Sequence, residues 1–332
     1  MAIPDIASIQ IHSSQYPAAV RRALVESLRS RQMNHKFHYE SPKQVGRWLA
    51  LHEAYSPARR DPACLTAYEE AFAALAAAVA APRVQVVGLG CGGGWKDAAL
   101  LRQLRAPGRE RFYTPLDVSP AMVLEGWTTV LAELPASRCF PFVCDLVLAG
   151  DLRGALVEPS AAGAERIYTF FGMAPNFEPG VILPRLAALL EPGDWLLFSA
   201  NLAPGDDYAA GVRRVAPQYD NAPTRDWLMT LPIDLGIERE DGSLRFEVEA
   251  DPAGSELLRL AAYFDFAQSR ELVLDGESIR FCQGDRLRLF FSYRHTPARV
   301  HAALEPFGLR VVSEWIAASG EEGVFLVRRP AV

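Results

Sequence analysis

The residues best suited to bind a nucleotide-like ligand lie in one stretch of this chain. A valine-rich run at residues 84–87 leads into glycines at positions 88, 90, 92, 93 and 94, and a helical pattern begins at Lys96. Glycine permits positive φ and lets a ligand approach the backbone closely. The helix start beyond it offers free N–H groups and the positive end of a dipole. The stretch therefore predicts a strand, a ligand-binding glycine turn and a helix.

The order of the glycines indicates which nucleotide fits this turn. A phosphate-binding loop would end in Gly-Lys-Ser/Thr, which is absent, and the dinucleotide string Gly-x-Gly-x-x-Gly is a weak signal in so glycine-rich a run. The run fits better the Gly-Cys-Gly-x-Gly loop of class I S-adenosylmethionine (SAM) methyltransferases. The predicted glycine contacts of SAM are Gly88, Gly90, Gly92 and Gly94.

Two acids follow the next two predicted strands. Asp117 comes after the strand at 111–116, and a carboxylate there suits two ribose hydroxyls. Asp145 comes after the strand at 138–143, where methyltransferases place an acid on the adenine amine. The predicted cofactor contacts also include the neighbours of these acids: Val118, Cys144 and Leu146.

Composition limits the classes of partner. The chain has 332 residues, half of them hydrophobic, and a formal net charge of −6, which argues against a nucleic-acid partner. No apolar run has membrane length, and the N-terminus lacks the basic region of a signal peptide. The five scattered cysteines and six histidines show no metal-ligand spacing. We therefore expect a cytoplasmic protein that binds no metal.

The order of elements predicts an α/β fold with a Rossmann-like doubly wound sheet and a second substrate or lid domain. Residues 1–62 form a helical lid, with a polar connector at 33–39. Residues 63–201 form the SAM-binding core, and residues 202–285 break the βαβ alternation as an inserted substrate domain. Residues 286–332 are expected to complete the core sheet with an antiparallel tail.

Several motifs resemble those of the histidine Nα-methyltransferase family of ergothioneine biosynthesis, whose relatives methylate other amino acids. The resemblance extends from about Lys36 to Arg329. The matching pieces are Gly90-Cys-Gly-Gly-Gly-Trp-Lys96, Pro115-Leu-Asp-Val-Ser-Pro120, Ala174-Pro-Asn-Phe-Glu-Pro179, Gln218-Tyr-Asp220 and Ser292-Tyr-Arg-His-Thr-Pro297. It implies that the N-terminal segment and the late insertion together form a substrate domain over a SAM-binding core.

The resemblance also assigns roles to residues. The asparagine that holds the amino or carboxyl end of the substrate falls on Asn176, and a tyrosine that grips the same end falls on Tyr219. A tyrosine facing the amine falls on Tyr39, so Tyr39 and Asn176 are the expected catalytic residues. Tyr55 and Lys96 are expected near the cofactor. Positioning a neutral amine against the sulfonium methyl provides most of the rate effect in such a reaction.

The chain departs from the family where the acceptor side chain should bind. Phe290 stands where the family has a glutamate that reads the imidazole, two residues before Ser292. Leu258 occupies the position of a pocket methionine in the family, Phe171 that of a glycine, and Gly88 that of an acid. A buried imidazole without its partner would cost roughly 1–3 kcal/mol. The expected acceptor is therefore an apolar or aromatic amino acid rather than histidine, methylated on its α-amine.

Two other functions stay open. If Phe171 partly fills the acceptor pocket, SAM could be the sole substrate: its own amine would attack its side chain, giving methylthioadenosine and a small cyclic amino acid of the azetidine-2-carboxylate type. Phe171, Tyr168 or Phe290 would then hold the sulfonium by cation–π attraction. The third function is SAM binding without turnover. The sequence leaves the oligomeric state open.

Overall fold

A computed structural model describes residues 4–330, and its largest element is an eight-stranded sheet. The strand order is β1-β4-β3-β2-β5-β6-β13-β12. The bounds are β1 Gln10–Ile11, β2 Arg83–Leu89, β3 Glu110–Asp117, β4 Phe142–Val143, β5 Glu165–Phe170, β6 Trp195–Asn201, β12 Arg310–Ile316 and β13 Glu322–Arg328. The strands from β1 to β6 pair in parallel, whereas β13 lies antiparallel between β6 and β12. The predicted α/β class and antiparallel tail are confirmed.

Helices cover both faces of this sheet, because its parallel strands are apolar on both sides. The helices are α1 Pro17–Arg29, α2 Pro42–Tyr55, α3 Pro57–Arg60, α4 Pro62–Ala78, α5 Trp95–Gln103, α6 Pro120–Val130, α7 Leu152–Ala155, α8 Pro179–Leu189, α9 Tyr208–Val215, α10 Ala222–Leu228, α11 Thr230–Asp234 and α12 Pro297–Leu304. One core joins α4, α5 and α6 to the sheet, and the other joins α8 and α12 to its opposite face.

Local sequence explains where the helices near the site begin. Ser41 and Gln44 form a reciprocal capping box at the start of α2, and the Asp61 side chain accepts the N–H of Ala63 at the start of α4. Each helix has proline at its first position, where no N–H is needed. These caps position α2 over the carboxyl ends of the parallel strands.

A second unit is built on a three-stranded antiparallel sheet of order β11-β8-β7. Its strands are β7 Gly242–Ala250, β8 Leu258–Phe266 and β11 Arg286–Arg294, and a hairpin of β9 Arg270–Leu274 and β10 Glu277–Phe281 links β8 to β11. Helices α1, α10 and α11 pack on it in a third core. The N-terminal segment and the insertion thus share one core.

The prediction that residues 286–294 belong to the central sheet is wrong. Strand β11 pairs with β8 from Arg286↔Asp265 to Arg294↔Leu258. An apolar alternation identifies a strand but not its partner, and here the β9–β10 hairpin returns the chain beside β8. The chain rejoins the central sheet only at β12.

The N-terminal third also differs from its prediction. Its strand β1 pairs with β4 at the edge of the central sheet, so it is not purely helical. The predicted strand at 138–143 shrinks to Phe142–Val143, since Pro141 has no N–H to donate. The connector at 33–39 contains a 3-10 helix, His35–His38, in which Lys36, Phe37 and His38 are buried.

No helix within residues 4–330 is long and apolar enough to cross a membrane.

Candidate active site

A cavity of about 1140 Å³ lies between the carboxyl ends of the parallel strands and the second sheet. Its walls come from the glycine loop, the ends of β3 and β4, the segment around His35–His38, helix α2 and strand β11. Ligands bind at this edge of open parallel sheets. The volume accommodates SAM and a second small molecule.

Two of the predicted glycines, Gly90 and Gly92, line the cavity with positive φ values of 69° and 52°. A Cβ on Gly90 would lie 2.5 Å from the sulfur of Met173, and one on Gly92 would lie 3.4 Å from the ring of Trp48. Both positions favour glycine for their positive φ, and at Gly90 the close approach of Met173 also leaves no room for a side chain.

The other two predicted glycines serve packing rather than the cavity wall. Gly94 caps helix α5 at φ +72°, and a Cβ there would lie 2.6 Å from the carbonyl oxygen of Gly126. Gly88 lies within β2, where a Cβ would lie 2.3 Å from the carboxylate of Asp97. Neither is among the cavity-lining residues, so their assignment as cofactor contacts is corrected.

Asp117 lies at the end of β3 with its carboxylate at the cavity wall, next to Val118. Burial raises the pKa of Asp117 to about 6, against the opposing effect of hydrogen bonds from backbone N–H groups, including that of Ser119 at 3.0 Å. The side chain thus lies at the cavity wall with carboxylate oxygens that can accept hydrogen bonds from two ribose hydroxyls.

Asp145 follows β4 and lines the cavity together with Cys144 and Leu146. One carboxylate oxygen accepts the N–H of Val147, and the other lies 3.0 Å from the ammonium of Lys36. The Lys36–Asp145 pair is almost completely buried. Sequence reasoning missed Lys36, although the apolar Phe37 beside it indicated a buried segment.

Three predicted substrate residues meet at strand β11. Asn176 donates its side-chain N–H to the carbonyl of Phe291 at 2.7 Å, and the Tyr219 hydroxyl lies 3.0 Å from the Ser292 hydroxyl. Arg294, which the sequence reading missed, donates to the Tyr219 hydroxyl at 2.9 Å. The arrangement offers a cation, an amide and two hydroxyls to the amino and carboxyl groups of a ligand.

Aromatic rings form the adjoining wall. The Phe290 ring lies 6.0 Å from both Tyr219 and Trp227, measured between ring centroids. Tyr39 follows at 5.6 Å from Trp227 and 5.7 Å from Trp48. Burial and the nearby carboxylate of Asp117 raise the pKa of Tyr39, so its phenol is neutral at physiological pH. The predicted Tyr39 and Phe290 therefore lie on one apolar face of the cavity.

Phe171 lines the cavity on the opposite side, beside Lys96. Its ring packs 5.4 Å from Tyr68 and 5.8 Å from Phe72, and the Lys96 ammonium lies 5.5 Å from its centroid. Tyr55, at the end of α2, lines the rim and is half exposed. Phe171 and Lys96 are thus neighbours on the glycine-loop side.

Two expected contacts lie elsewhere. Tyr168 is fully buried in the core, where its hydroxyl donates to the carbonyl of Leu189, so it cannot face a sulfonium in the cavity. Leu258 begins β8, and its N–H donates to the Tyr208 hydroxyl at 2.7 Å, outside the cavity lining. The sequence around Tyr168 and Leu258 did not indicate whether each side chain faces the cavity or points away from it.

Among the residues that the structure describes, no group of three or more His, Cys, Asp or Glu side chains is placed to hold a metal ion.

The sheet order, the glycine loop and the acids after β3 and β4 define a class I SAM-methyltransferase fold. A model of the SAM-dependent, histidine-specific methyltransferase family matches residues 19–219, more than half of the chain, which therefore belongs to that family. It is a SAM-dependent transferase, and its cofactor is SAM.

Individual relatives are more distant. The chain is 26% identical over 254 residues to histidine N-alpha-methyltransferase of Mycobacterium tuberculosis (strain CDC 1551 / Oshkosh), covering 74% of this chain and 75% of that one. Among solved structures, it is similar to the methyltransferase SibL in its apo form (TM-score 0.47, 15% identity, 96% and 72% coverage). It is also similar to the CcbJ methyltransferase of Streptomyces caelestis (TM-score 0.39, 17% identity, 79% and 95% coverage).

The affinity for S-adenosylhomocysteine should depend on pH through Asp117. Ribose hydroxyls donate to the ionised carboxylate, so ligand binding favours loss of the proton that Asp117 holds below about pH 6. The dissociation constant, measured by calorimetry, should rise about tenfold between pH 7 and pH 5.

The Asp117→Asn variant is the control for that titration, because it should bind more weakly and show a flatter pH dependence. It also separates Asp117 from Asp97, whose pKa burial likewise raises to about 6. A constant affinity in the native protein, or the same slope in the variant, would contradict the assignment.

Proposed function

We propose that this transferase methylates the α-amine of an amino acid with an apolar or aromatic side chain. The observation that carries the proposal is the ring of Phe290, which lies in the cavity wall between Tyr219 and Trp227. A ring can pack against an apolar side chain but cannot pair with an imidazole N–H, which would lose about 1–3 kcal/mol if left without a partner.

The nearby acid does not replace the missing glutamate. Glu178, in the Asn-Phe-Glu-Pro motif, is paired with the buried guanidinium of Arg259 at 2.9 Å and accepts the hydroxyl of Tyr293. These bonds hold its carboxylate against the second sheet. The acceptor side chain therefore meets rings rather than a free carboxylate.

The backbone end of the acceptor has complementary groups. The Arg294 guanidinium and the Tyr219 hydroxyl suit the α-carboxylate. The carbonyl oxygen of the Asn176 side chain, whose N–H₂ group is fixed by Phe291, can accept an N–H of the α-amine. Such contacts orient the nitrogen lone pair toward the sulfonium methyl of SAM. The nitrogen–methyl bond forms as the methyl–sulfur bond breaks, which leaves S-adenosylhomocysteine.

The position of Phe171 favours a second candidate, SAM cyclisation. Its ring lies 5.5 Å from the ammonium of Lys96, which is expected near the cofactor, so an aromatic face would be available to the sulfonium. In this reaction the amine of SAM attacks its own γ-carbon, the carbon–sulfur bond breaks toward sulfur, and the amine releases a proton. The products are methylthioadenosine and azetidine-2-carboxylate.

Mass spectrometry of the purified protein incubated with SAM, with and without a pool of common amino acids, separates the two candidates. N-methylation predicts S-adenosylhomocysteine and one methylated amino acid, formed only when the pool is present. Methylthioadenosine and a cyclic amino acid formed without the pool would refute N-methylation and establish cyclisation. Neither product, in protein that binds SAM, would refute both and favour binding without turnover.

Replacing Phe290 with glutamate should create activity toward histidine, because it places a carboxylate where the family reads the imidazole. Phe290→Gln is the matched control, with a similar shape and no charge. A hydrogen bond to a charged group contributes roughly 1.5–3 kcal/mol, so kcat/KM for histidine should be about 10- to 100-fold higher in Phe290→Glu than in Phe290→Gln. No difference between two folded, SAM-binding variants would contradict this account of the pocket.

A further inference from the structure

A buried cluster of charged and aromatic side chains lies on the glycine-loop side of the cavity. The Lys96 ammonium lies 2.6 Å from the Tyr68 hydroxyl and 3.6 Å from the carboxylate of Glu322. The Tyr68 hydroxyl donates to the same carboxylate, and the Cys64 thiol lies 3.4 Å from its other oxygen. Of this cluster, only Lys96 was expected to contact the cofactor.

The backbone holds this cluster at the cavity edge. Lys96 lies in the first turn of α5, directly after the glycine loop, and Glu322 is the first residue of β13. In the sheet register, Glu322 lies opposite Asn201, the last residue of β6. Both charged side chains line the cavity and are nearly buried. They therefore adjoin the glycine loop, which is expected to contact SAM.

The two charges retain bonding capacity for a ligand. An ammonium has three N–H donors. Within the described residues, Lys96 uses one of them in a hydrogen bond to the Tyr68 hydroxyl. Burial lowers the pKa of Lys96, an effect that the Glu322 carboxylate opposes. Glu322 accepts one bond at each oxygen and has further lone pairs. A buried cation next to a buried anion is complementary to a zwitterion.

We propose that Glu322 binds the α-ammonium of SAM, next to Lys96, which is already expected at the cofactor. The ligand class is an α-amino-acid zwitterion attached to an adenosyl sulfur. Tyr68 acts as a positioning residue, because its hydroxyl contacts both Lys96 and Glu322 and fixes their spacing.

Calorimetry with three ligands tests each charge separately. The ligands are S-adenosylhomocysteine, its deaminated analogue and its decarboxylated analogue. Glu322→Gln should lower the affinity for S-adenosylhomocysteine about tenfold, equal to about 1.4 kcal/mol. It should leave the affinity for the deaminated analogue unchanged. Lys96→Met should lower the affinity for S-adenosylhomocysteine and leave the affinity for the decarboxylated analogue unchanged. Glu314→Gln is the control, since Glu314 pairs with His301 on the surface.

The result that overturns the proposal is an equal loss of affinity for all three ligands in Glu322→Gln, which would indicate a purely structural role. If that variant fails to fold, the native protein decides: it should bind the deaminated analogue about tenfold more weakly than S-adenosylhomocysteine, and equal affinities would refute the ammonium contact. None of these ligands involves an acceptor, so the outcome is independent of the proposed N-methylation.

Discussion

The structure depends on the contact between the loop after β5 and the second sheet. Asn176 donates to the carbonyl of Phe291, and Glu178 holds both the Arg259 guanidinium and the Tyr293 hydroxyl. Arg259 is almost fully buried and pairs with both Glu178 and Glu249, so removing Glu178 would leave the buried guanidinium with one acidic partner instead of two. One short loop thereby links the proposed acceptor side of the cavity to the parallel strands that end at Asp117 and near Asp145.

A second connection closes the cavity from the N-terminal side. Lys36 pairs with Asp145 at the end of β4, and the His38 ring lies 2.7 Å from the carbonyl oxygen of Leu289 on β11. The same short segment carries Tyr39, which lies against Trp48 of helix α2. The segment that should face the acceptor amine thus also contacts the acid expected at the adenine. The predicted cofactor site and the proposed acceptor site therefore share one wall.

The part of this site that is built from residues close together in the chain could be predicted from the sequence. A glycine turn between a buried strand and a helix, and acids directly after β3 and β4, depend on residues close in the chain. Asp117 and Asp145 therefore lie at the cavity as expected. Gly88 and Gly94 show the limit of that reasoning, because glycine is equally needed where Asp97 or Gly126 packs closely.

Pairing between distant segments could not be predicted in the same way. Strand β11 was recognisable, but its place beside β8 follows from the hairpin between them and from the shared core with α1. A role for Arg294 and Glu322 can be inferred only from the tertiary structure, in which β11 and β13 both contribute to the cavity. Lys36 likewise gains its partner from a segment more than one hundred residues away.

A crystal structure of the protein with S-adenosylhomocysteine tests the central claim most directly: that this cavity binds the cofactor with its sulfur toward β11. The account predicts adenine at Asp145 and Leu146, ribose hydroxyls on Asp117, and the amino-acid end at Lys96. The sulfur should face the side of the cavity that holds Asn176 and Tyr219. A ligand bound elsewhere, or one whose sulfur faces away from Asn176, would contradict it.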